Sequence, residues 1–592
     1  MRPGSIDIFF GKNRFPVREL SLGRNGGAEK LEELSLALAE SLNPGFDRNA
    51  ETAAEWSRYI RLIAQGRGGT LENPYADLPE YRIEPLTPKT GLSPDTPLIA
   101  RLDSAAAIRT EPAAESQGGL SRTLLVLAVG GADTTFYDGM DEAATESFLR
   151  AFLSEECAAC FDAASLRRGV PRAFISKPDG AGGRITHLES LLVQAHESGI
   201  RHAVIITNAF LSDAVGRFLD RRIGRLTGLN RIVAVQPLLP SPVFDAESGR
   251  WIVDADGTGF PGGHGHGFKH ALRHPAVGRW IREHGLKTFL FSNGDNAALF
   301  GRGPEPFTRG LFALEALRNR PGHEKCGIAL FLVWESARKG GFAFFLDPLK
   351  GGEKQVRIVE MELAAAAGMA PEAIREGRFA YNSNVAVGFL DPVIRRLDCM
   401  PMALKRKRID GRDRLLLEAS FATALTSSQD GRGVTRSDPR TALFLLPPDR
   451  AAHPHWIHLS IRKREDWLAY ASTVFRTRRA DTASGSFIVV ETDRRADRPL
   501  PRLEGDITRT DILTSAAFFN IFRDAEIDMA DFDGTLRVDF PEGPASGRGS
   551  LKFEGNMRFE GSGVITFTVP PGEKWVVRDR TFSSPADILS ID

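Results

Sequence analysis

Residues 260–300 decide the fold of this chain. They read FPGGHGHGFKHALRHPAVGRWIREHGLKTFLFSNGDNAALF. The order is a glycine-rich turn, one amphipathic helix, a short apolar run and a polar tip. The apolar run at 288–291 predicts a strand that is buried on both faces, as in a parallel sheet covered by helices.

Polar side chains follow this strand directly. Ser292, Asn293, Asp295 and Asn296 crowd its C-terminal end. In open α/β sheets, ligands bind at the carboxyl ends of the strands. A carboxylate flanked by amides suits a hard divalent cation such as Mg2+, which prefers oxygen ligands. The sequence therefore predicts Asp295 as a metal ligand.

Three earlier apolar runs have the same character. They predict buried strands at 123–129 and 203–207 and a further strand at 232–235, with a helix at 187–198 after the first. Because strands and helices alternate, we expect an α/β fold with a Rossmann-like, mainly parallel twisted sheet and helices on both faces.

The turn after the first strand, Gly130-Gly131, is a candidate phosphate site. Because glycine has no side chain, its backbone N–H groups can approach a phosphate closely. The same pair is typical of an ordinary tight turn, so both interpretations stand at this point.

Four histidines, His264, His266, His270 and His274, follow the glycine turn. The last three share a helical face at i, i+4 spacing, and neutral imidazoles so placed can bind zinc. Neither an HExxH motif nor a nearby cysteine accompanies them. We therefore prefer a turn that contacts a nucleotide or a sugar phosphate.

Composition excludes several classes of function. The 592 residues carry 76 Lys+Arg and 76 Asp+Glu, so the chain lacks the basic surplus of a general nucleic-acid binder. No apolar run approaches the ~18 residues of a membrane span, and the first residues lack a signal peptide's apolar region. Four cysteines in 592 residues are too few for a disulfide framework and indicate a reducing compartment. We expect a soluble cytoplasmic protein with neither nucleic-acid nor membrane partners.

Several motifs resemble those of the UTP–glucose-1-phosphate uridylyltransferase family, the UDP-glucose pyrophosphorylases. Residues 263–265 stand where that family has a Pro-Gly-His-Gly-Asp-like turn, and residues 292–296 where its strand ends in Ser-Asn-x-Asp-Asn. Residues 382–384 resemble its Asn-Thr-Asn motif, and residues 407–411 its Lys-x-x-Asp-Gly motif. The resemblance covers about 123–425 and the C-terminal tail, and it implies a GT-A-type variant of the Rossmann-like sheet.

Three residues depart from the family pattern. Asp133 replaces a glycine of the phosphate loop, Arg172 replaces the lysine of a Pro-Lys motif, and His266 replaces an aspartate. Because an aspartate that faced the phosphates would repel them, we expect Asp133 to turn away from the pocket and Arg172 to reach the phosphates.

The resemblance implies transfer of uridylyl from UTP to a sugar 1-phosphate, with glucose 1-phosphate as the first choice, giving a UDP-sugar and pyrophosphate. The implied catalytic residues are Lys407, Arg172 and Asp295, with Asp295 also the ligand of Mg2+. The implied nucleotide-binding residues are Gly130, Gly131, Gln236, Gly263 and His264. The implied sugar-binding residues are Asn293, Glu360, Asn382 and Asn384.

Changes of pattern divide the chain into four parts. They are an N-terminal helical segment with a Pro/Gly-rich arm (1–118), the nucleotidyltransferase catalytic domain (119–440), a connecting α/β segment (441–530) and a C-terminal β domain (531–592). Helices are predicted at 28–42 and 50–64, a polar loop at 426–440, and a strand followed by a helix at 456–477. Alternating residues at 549–569 predict short strands, which resemble the family's β-helix and imply self-association.

Two alternatives stay open. The first is the same chemistry on another sugar, such as N-acetylglucosamine 1-phosphate. The second is a catalytically silent relative that binds UDP-sugars or serves as an interaction protein. The sequence leaves the sugar, the oligomeric state and the role of residues 1–118 undecided.

Overall fold

A computed structural model gives the architecture. The residues that it describes are 6–10, 13–16, 27–43, 50–65, 80–86, 99–101, 120–130, 141–179, 183–254, 259–301, 303–321, 323–336, 341–351, 355–360, 378–409, 411–429, 435–437, 441–445, 458–459, 464–492, 501–509, 513, 515–541 and 548–584.

The strands are numbered along the chain. They are β1 (Ile6–Phe10), β2 (Asn13–Pro16), β3 (Tyr81–Pro85), β4 (Ile99–Arg101), β5 (Thr123–Ala128), β6 (Ser176–Pro178), β7 (Arg184–Thr186), β8 (His202–Asn208), β9 (Asn230–Gln236), β10 (Leu238–Leu239), β11 (Val243–Asp245), β12 (Arg250–Asp254), β13 (Phe260–Pro261), β14 (Thr288–Asn293), β15 (Ile328–Ser336), β16 (Gly341–Pro348), β17 (Gln355–Glu360), β18 (Arg378–Phe389), β19 (Ala403–Ile409), β20 (Arg412–Glu418), β21 (Ser427–Gln429), β22 (Thr435–Ser437), β23 (Thr441–Leu445), β24 (Phe475–Thr482), β25 (Gly485–Thr492), β26 (Arg502–Glu504), β27 (Asp524–Asp528), β28 (Thr535–Asp539), β29 (Ser550–Phe559), β30 (Val564–Thr568), β31 (Lys574–Arg578) and β32 (Thr581–Phe582).

The helices are numbered in the same way. They are α1 (Gly27–Leu42), α2 (Ala50–Gln65), α3 (Glu142–Phe152), α4 (Glu155–Ala158), α5 (Ala163–Arg168), α6 (His187–Glu197), α7 (Ser212–Phe218), α8 (Gly263–Arg273), α9 (Pro275–His284), α10 (Glu305–Arg318), α11 (Leu390–Ile394), α12 (Phe421–Thr426), α13 (Arg464–Ala471) and α14 (Ser515–Phe522). Short 3₁₀ turns lie at Arg172–Phe174, Leu397–Cys399 and Asp506–Thr508, and Leu219–Ile223 is a π-helical turn. Within the described ranges, no helix is long and apolar enough to cross a membrane.

The main sheet is mixed and rich in parallel pairs. Its strands run in the order β4-β23-β15-β18-β14-β5-β8-β9, and β16 joins β18, β17 and β3 at one side. The neighbours β14, β5, β8 and β9 are parallel, whereas β18 runs antiparallel to both β14 and β15. The four predicted strands are therefore confirmed. Of these, β5, β8 and β14 are buried, whereas β9 lies at the end of the sheet and is partly exposed. The antiparallel strand β18 is the central departure from a mainly parallel sheet.

The residues of β5 alternate between two cores, which is why this strand reads as a continuous apolar run. Leu125 and Leu127 pack in the core that also holds α6, while Leu124 and Val126 pack in the core that holds α8. Successive side chains of a strand point to opposite faces, so a strand covered on both sides has no polar position. Helices thus cover both faces of the sheet.

The N-terminal helices α1 and α2 confirm the helices predicted there. They pack on a second sheet of order β19-β20-β11-β12-β1-β2, in a core that contains Leu31, Ile60, Trp251 and Leu415. The segment predicted as an arm also contributes to the main sheet, because β3 pairs with β16 and β4 pairs with β23.

Three local predictions are wrong. The segment after the glycine turn forms two helices, because Pro275 lacks a backbone N–H and His274 caps the start of the second helix at Ala276. The predicted polar loop at 426–440 begins at the last residue of α12 and contains the antiparallel pair β21 and β22. In the described part of 456–477, helix α13 precedes strand β24, the reverse of the predicted order.

The C-terminal strands form two small parallel sheets. One has the order β26-β28-β30, and the other pairs β29 with β27, β31 and β32. The rings of Phe553, Phe559, Phe567 and Phe582 contact one another in the core. The alternating pattern at 549–569 therefore gives strands, as predicted.

A buried lysine fastens the segment after α13 to the main domain. The ammonium group of Lys177 donates to the carbonyl oxygens of Tyr470 and Ser472, at 3.1 Å each, and to that of Phe475. An ammonium group has three donors, so these carbonyls use all of them. The side chain of Lys177 therefore connects two parts of the chain far apart in sequence.

We expect Lys177→Met to destabilise the protein by roughly 2–4 kcal/mol, because methionine keeps the apolar stem and leaves buried carbonyls without donors. Urea unfolding of both proteins measures this. Lys350→Met, at an exposed turn, is the matched control and should change stability by less than about 0.5 kcal/mol. An equally small effect at Lys177 would contradict the assigned role.

Candidate functional site

The candidate site lies at the carboxyl ends of β14, β5, β8 and β9. The chain passes from β5 to β8 and β9 on one side and then returns to β14 on the other side of β5. This reversal is a topological switch point, where ligands bind in open α/β sheets. The register places Asn293 beside Ala128 and Gln236 beside Asn208. The predicted polar residues therefore lie along one edge.

Gly294 allows the two sides of the switch point to approach closely. Its N–H donates to the carbonyl oxygen of Ala128 at 2.8 Å. A Cβ atom at this position would lie 2.6 Å from Cγ2 of Val129 and 3.4 Å from Cβ of Ala173. Because the first distance is too short for any side chain, glycine is required for this contact.

A buried ion pair joins two of the three predicted catalytic residues. Nη2 of Arg172 lies 2.7 Å from Oδ2 of Asp295, and the two side chains are 11% and 10% exposed. At such burial the attraction is strong, but both ions have lost much of their hydration. Arg172, predicted to reach the phosphates, is thus bound to the predicted metal ligand in the ligand-free protein.

The oxygen donors at the end of β14 fit Mg2+ under one condition. Asp295 is buried there, and Oδ1 of Asn293 accepts no hydrogen bond from the described residues. Mg2+ prefers such oxygens and completes its shell with water and phosphate. The condition is that the guanidinium of Arg172 leaves Asp295, because two cations at one carboxylate repel each other.

His187 is a neighbour of this pair to which no sequence pattern pointed. Burial lowers the pKa of its imidazole to about 4, although the negative charge of Asp295 acts in the opposite direction. The ring also packs edge-on against Tyr470, with 5.5 Å between the ring centroids. His187 is therefore neutral at pH 7 and leaves the charge balance to Arg172 and Asp295.

The predicted nucleotide residues Gln236 and Gly263 are in direct contact. Nε2 of Gln236 donates to the carbonyl oxygen of Gly263 at 2.8 Å. Gly263 begins α8 with φ of +80°, and a Cβ atom there would lie 2.8 Å from the carbonyl oxygen of Ala419. Both features require glycine. His264, the next residue of α8, is half-buried.

The four histidines that were weighed as a zinc site do not gather as a group. Nε2 of His266 lies 3.0 Å from Nε2 of His270, and Glu55 of α2 brings a carboxylate to them, with all three ligand atoms within 4.8 Å. The first and last of the four histidines lie outside this group. Lys269 contacts Glu55 at 2.5 Å and Tyr59 donates to it. Because Lys269 already balances Glu55, the cluster is neutral without a metal.

The predicted sugar residues Asn382 and Asn384 form a bulge in β18. The pairing with β15 shifts between Phe331 and Leu332, and Asn384 has φ of +54°. Nδ2 of Asn382 donates to Oδ1 of Asn384 at 2.6 Å, and the Asn384 N–H donates back to Oδ1 of Asn382 at 2.9 Å. These bonds hold a left-handed residue of the kind that clusters at functional sites.

Lys407 belongs to the second sheet, where it pairs with Glu418. Its Nζ lies 2.6 Å from Oε1 of Glu418, and Nζ of Lys405 lies 3.1 Å from Oε2. Burial raises the pKa of Glu418, but the two lysines outweigh it and hold that pKa below its usual value. The next residue, Ala419, exchanges backbone hydrogen bonds with Gly262 and Gly265. Lys407 is therefore on a hairpin that docks on the glycine turn.

Three predictions about site residues stay predictions. Gly131 and Asp133 lie outside the described residues. Glu360 is the last residue of β17, which gives its place in the backbone. Gly130, in contrast, is described and exposed, and a Cβ atom there would lie 3.3 Å from Cα of Thr207.

Solved structures with this architecture are UDP-glucose pyrophosphorylases. A variant of the Leishmania major enzyme in complex with UDP-glucose matches 93% of this chain and 99% of its own, at 15% identity and a TM-score of 0.58. The L. major enzyme described in open and closed structures matches the same shares at 15% identity and a TM-score of 0.55. A UDP-glucose phosphorylase from Trypanosoma brucei matches 92% of this chain and 99% of its own, at 14% identity and a TM-score of 0.53.

These matches confirm the resemblance at the level of the fold. Comparison of the sequence with protein-family profiles and with curated proteins found no match. At about 15% identity, the likeness shows a shared fold. Any inference about chemistry has to be argued from the residues of this chain.

The stability of a Lys407 variant shows whether the ion pair of Lys407 and Glu418 holds the hairpin together. Because the side chain of Lys407 is 46% exposed, we expect Lys407→Ala to lower the unfolding free energy by less than about 1 kcal/mol. Urea unfolding checks this, with Arg406→Ala as a control on the same strand. A loss above about 2 kcal/mol at Lys407 alone would mean that the residue holds the hairpin together.

Proposed function

We propose that this protein is a nucleotidyltransferase that transfers uridylyl from UTP to a sugar 1-phosphate, with glucose 1-phosphate as the first candidate, and releases pyrophosphate. The observation that carries the proposal is the ion pair of Arg172 and Asp295 at the switch point of the sheet. A guanidinium and a carboxylate at this place supply the two groups that phosphoryl chemistry needs, a phosphate cation and a metal ligand. The L. major structures with UDP-glucose support the substrate class.

The proposed reaction needs no protein base. A phosphate oxygen of the sugar 1-phosphate, already ionised at pH 7, attacks the α-phosphorus of UTP. The bond from that phosphorus to the bridging oxygen breaks, and pyrophosphate leaves with the electron pair. Positioning and neutralisation of charge are then the protein's main contributions.

Arg172 has two partners in this proposal. Before substrate binds, its guanidinium neutralises Asp295. When a triphosphate arrives, the guanidinium can pair with phosphate oxygens, for which its planar fork is well suited. Asp295, with Asn293, is then available to Mg2+, which neutralises phosphate charge when bound.

For the other site residues we propose the roles that the resemblance implies. Gly130, with Gly131, presents backbone to the phosphates, and Gln236 with Gly263 holds the base. Five further residues complete the proposed site. In this proposal His264 contacts the nucleotide and Lys407 contacts the phosphates. The sugar is bound by Asn382, Asn384 and Glu360.

The C-terminal strands support a second part of the proposal. Because β26 to β31 alternate between two parallel sheets, we propose a β-helix-like domain that mediates self-association. Light scattering of the intact protein over a range of concentrations measures that association.

The same ion pair also supports a second candidate function. The ion pair joins the predicted metal ligand to the predicted phosphate cation, and a permanent pair would suit a protein that binds a UDP-sugar without turnover. The remaining alternative is the same reaction with another sugar, such as N-acetylglucosamine 1-phosphate. Comparing turnover across a panel of sugar 1-phosphates distinguishes that substrate from glucose 1-phosphate.

Pyrophosphate release with UTP, Mg2+ and each sugar 1-phosphate tests the proposal. We expect turnover that EDTA removes and added Mg2+ restores, and we expect Asp295→Asn to lower kcat by roughly a hundredfold or more because it removes a charged contact to the metal. Asp391→Asn, at an exposed ion pair, is the matched control and should leave kcat unchanged.

Two results would overturn the enzyme assignment. Binding of UDP-glucose without pyrophosphate release from any sugar 1-phosphate would establish the silent relative. Activity of Asp295→Asn within a few-fold of the wild type, at saturating Mg2+, would remove Asp295 from the reaction.

A further inference from the structure

Arg414 of β20 is a buried cation that has no polar partner among the residues that the structure describes. The residue is 9% exposed, and its Nε is buried without a hydrogen-bond acceptor. The guanidinium lies instead against the ring of Phe260, with 5.4 Å between the guanidinium carbon and the ring centroid. An aromatic face attracts a cation but accepts none of the hydrogen bonds that its five N–H groups can donate. The stacking therefore holds the guanidinium in place and leaves its donors to another acceptor.

Arg414 belongs to the same face of the hairpin as Lys407. The two residues lie directly opposite each other in the antiparallel pair of β19 and β20, and residues so placed point to the same side. Lys405 and Arg412 lie two positions further along these strands, so they share that side as well. The register therefore gathers four basic side chains on one face of the hairpin.

The carboxylates of β19 and β20 are already engaged by other cations. Oε1 of Glu418, on the same face as Arg414, lies 2.6 Å from Nζ of Lys407, and its Oε2 lies 3.1 Å from Nζ of Lys405. Asp413 points to the opposite face and pairs with Arg406. In these two strands, the face of Arg414 thus has four positive charges and one negative charge, which leaves a clear positive excess.

The basic face lies beside the glycine turn of the candidate site. Phe260, on which Arg414 stacks, is the first residue of β13, and this strand leads directly into the turn at Gly262. Ala419, which follows β20, exchanges backbone hydrogen bonds with Gly262 and Gly265. Both contacts bring the hairpin to the turn that we propose for the nucleotide.

An unpaired buried cation favours binding over stability. Removing a guanidinium from water without giving it a partner destabilises the ligand-free protein. An anion that binds restores the missing hydrogen bonds. A phosphate does so well, because the planar guanidinium can pair with two of its oxygens at once. Arg414 therefore has the properties of a residue that contacts a phosphate ligand.

We propose that Arg414 is a phosphate-binding residue that, together with Lys407, holds the triphosphate of UTP. The inference rests on the proposed function for the identity of this ligand. The positive excess and the neighbouring glycine turn favour the triphosphate over the phosphate of the sugar, because the triphosphate is the more highly charged group and belongs to the nucleotide.

Calorimetric titration of UTP, inorganic tripolyphosphate and glucose 1-phosphate into the wild type and Arg414→Met tests the proposal. We expect the variant to bind UTP and tripolyphosphate roughly tenfold or more weakly, because charge-assisted hydrogen bonds are lost, and glucose 1-phosphate with unchanged affinity. Arg412→Met, which removes an exposed arginine from the same face, is the matched control and should change each affinity by less than about threefold.

Urea unfolding of the same variants distinguishes binding from a structural role. Methionine keeps an apolar stem in place of an unpaired buried cation, so we expect the unfolding midpoint of Arg414→Met to equal or exceed that of the wild type. Arg414→Lys keeps the charge without the planar fork and should bind UTP with intermediate affinity.

Three results would overturn the role of Arg414. The first is binding of UTP and tripolyphosphate by Arg414→Met at the affinity of the wild type. The second is a clear fall in its unfolding midpoint, or failure to fold, which would make Arg414 a structural residue. The third is a tenfold loss for glucose 1-phosphate, which would assign Arg414 to the phosphate of the sugar.

The same measurements separate this inference from the proposed function. Turnover by the wild type together with any of these three results would leave the proposed function intact. Tripolyphosphate binding that depends on Arg414, in a wild type that releases no pyrophosphate from any sugar 1-phosphate, would support the phosphate site and contradict the proposed function. A wild type that binds neither UTP nor tripolyphosphate would overturn both.

Discussion

A carboxylate buried at the end of a strand needs a counter-charge, and the pairing of Asp295 with Arg172 meets that need. The pairing depends on how closely β5 and β14 approach, which Gly294 permits. It also depends on the 3₁₀ turn at Arg172–Phe174, which packs against the same point. Because Arg172 and Asp295 neutralise each other, the proposed phosphate and metal ion would each have to exchange with an existing partner, which would couple the binding of the two.

The nucleotide side of the crevice is organised by a second set of buried polar contacts. Gln236, His266 and His270 form a row of hydrogen bonds that continues to the neighbourhood of Glu55 on α2. Ala419, at the end of the hairpin that carries Lys407, binds the glycine turn at the start of this row. Two sheets and the N-terminal helices therefore meet at one place, and the proposed site needs all three.

The sequence predicted the elements that local pattern controls and missed contacts between distant segments. The strands β5, β8 and β14 were predictable because a strand covered on both faces is apolar throughout. The short apolar run of β9 predicted a strand as well, although β9 lies at the end of the sheet and is partly exposed. Pro275 could have revealed the break between α8 and α9. One sequence carries no signal for contacts that arise only from tertiary packing. Such contacts are the pairing of Arg172 with Asp295, the approach of Glu55 to His270 and the left-handed conformation of Asn384.

Calorimetric titration of UTP, with and without Mg2+, into the wild type and Asp295→Asn tests the central claim that Arg172 exchanges Asp295 for phosphate. The account predicts that Asp295→Asn binds metal-free UTP more tightly than the wild type, because Arg172 no longer has to leave a carboxylate. It also predicts that Mg2+ no longer strengthens binding to this variant. Weaker metal-free binding by Asp295→Asn, together with an undiminished effect of Mg2+, would contradict the account.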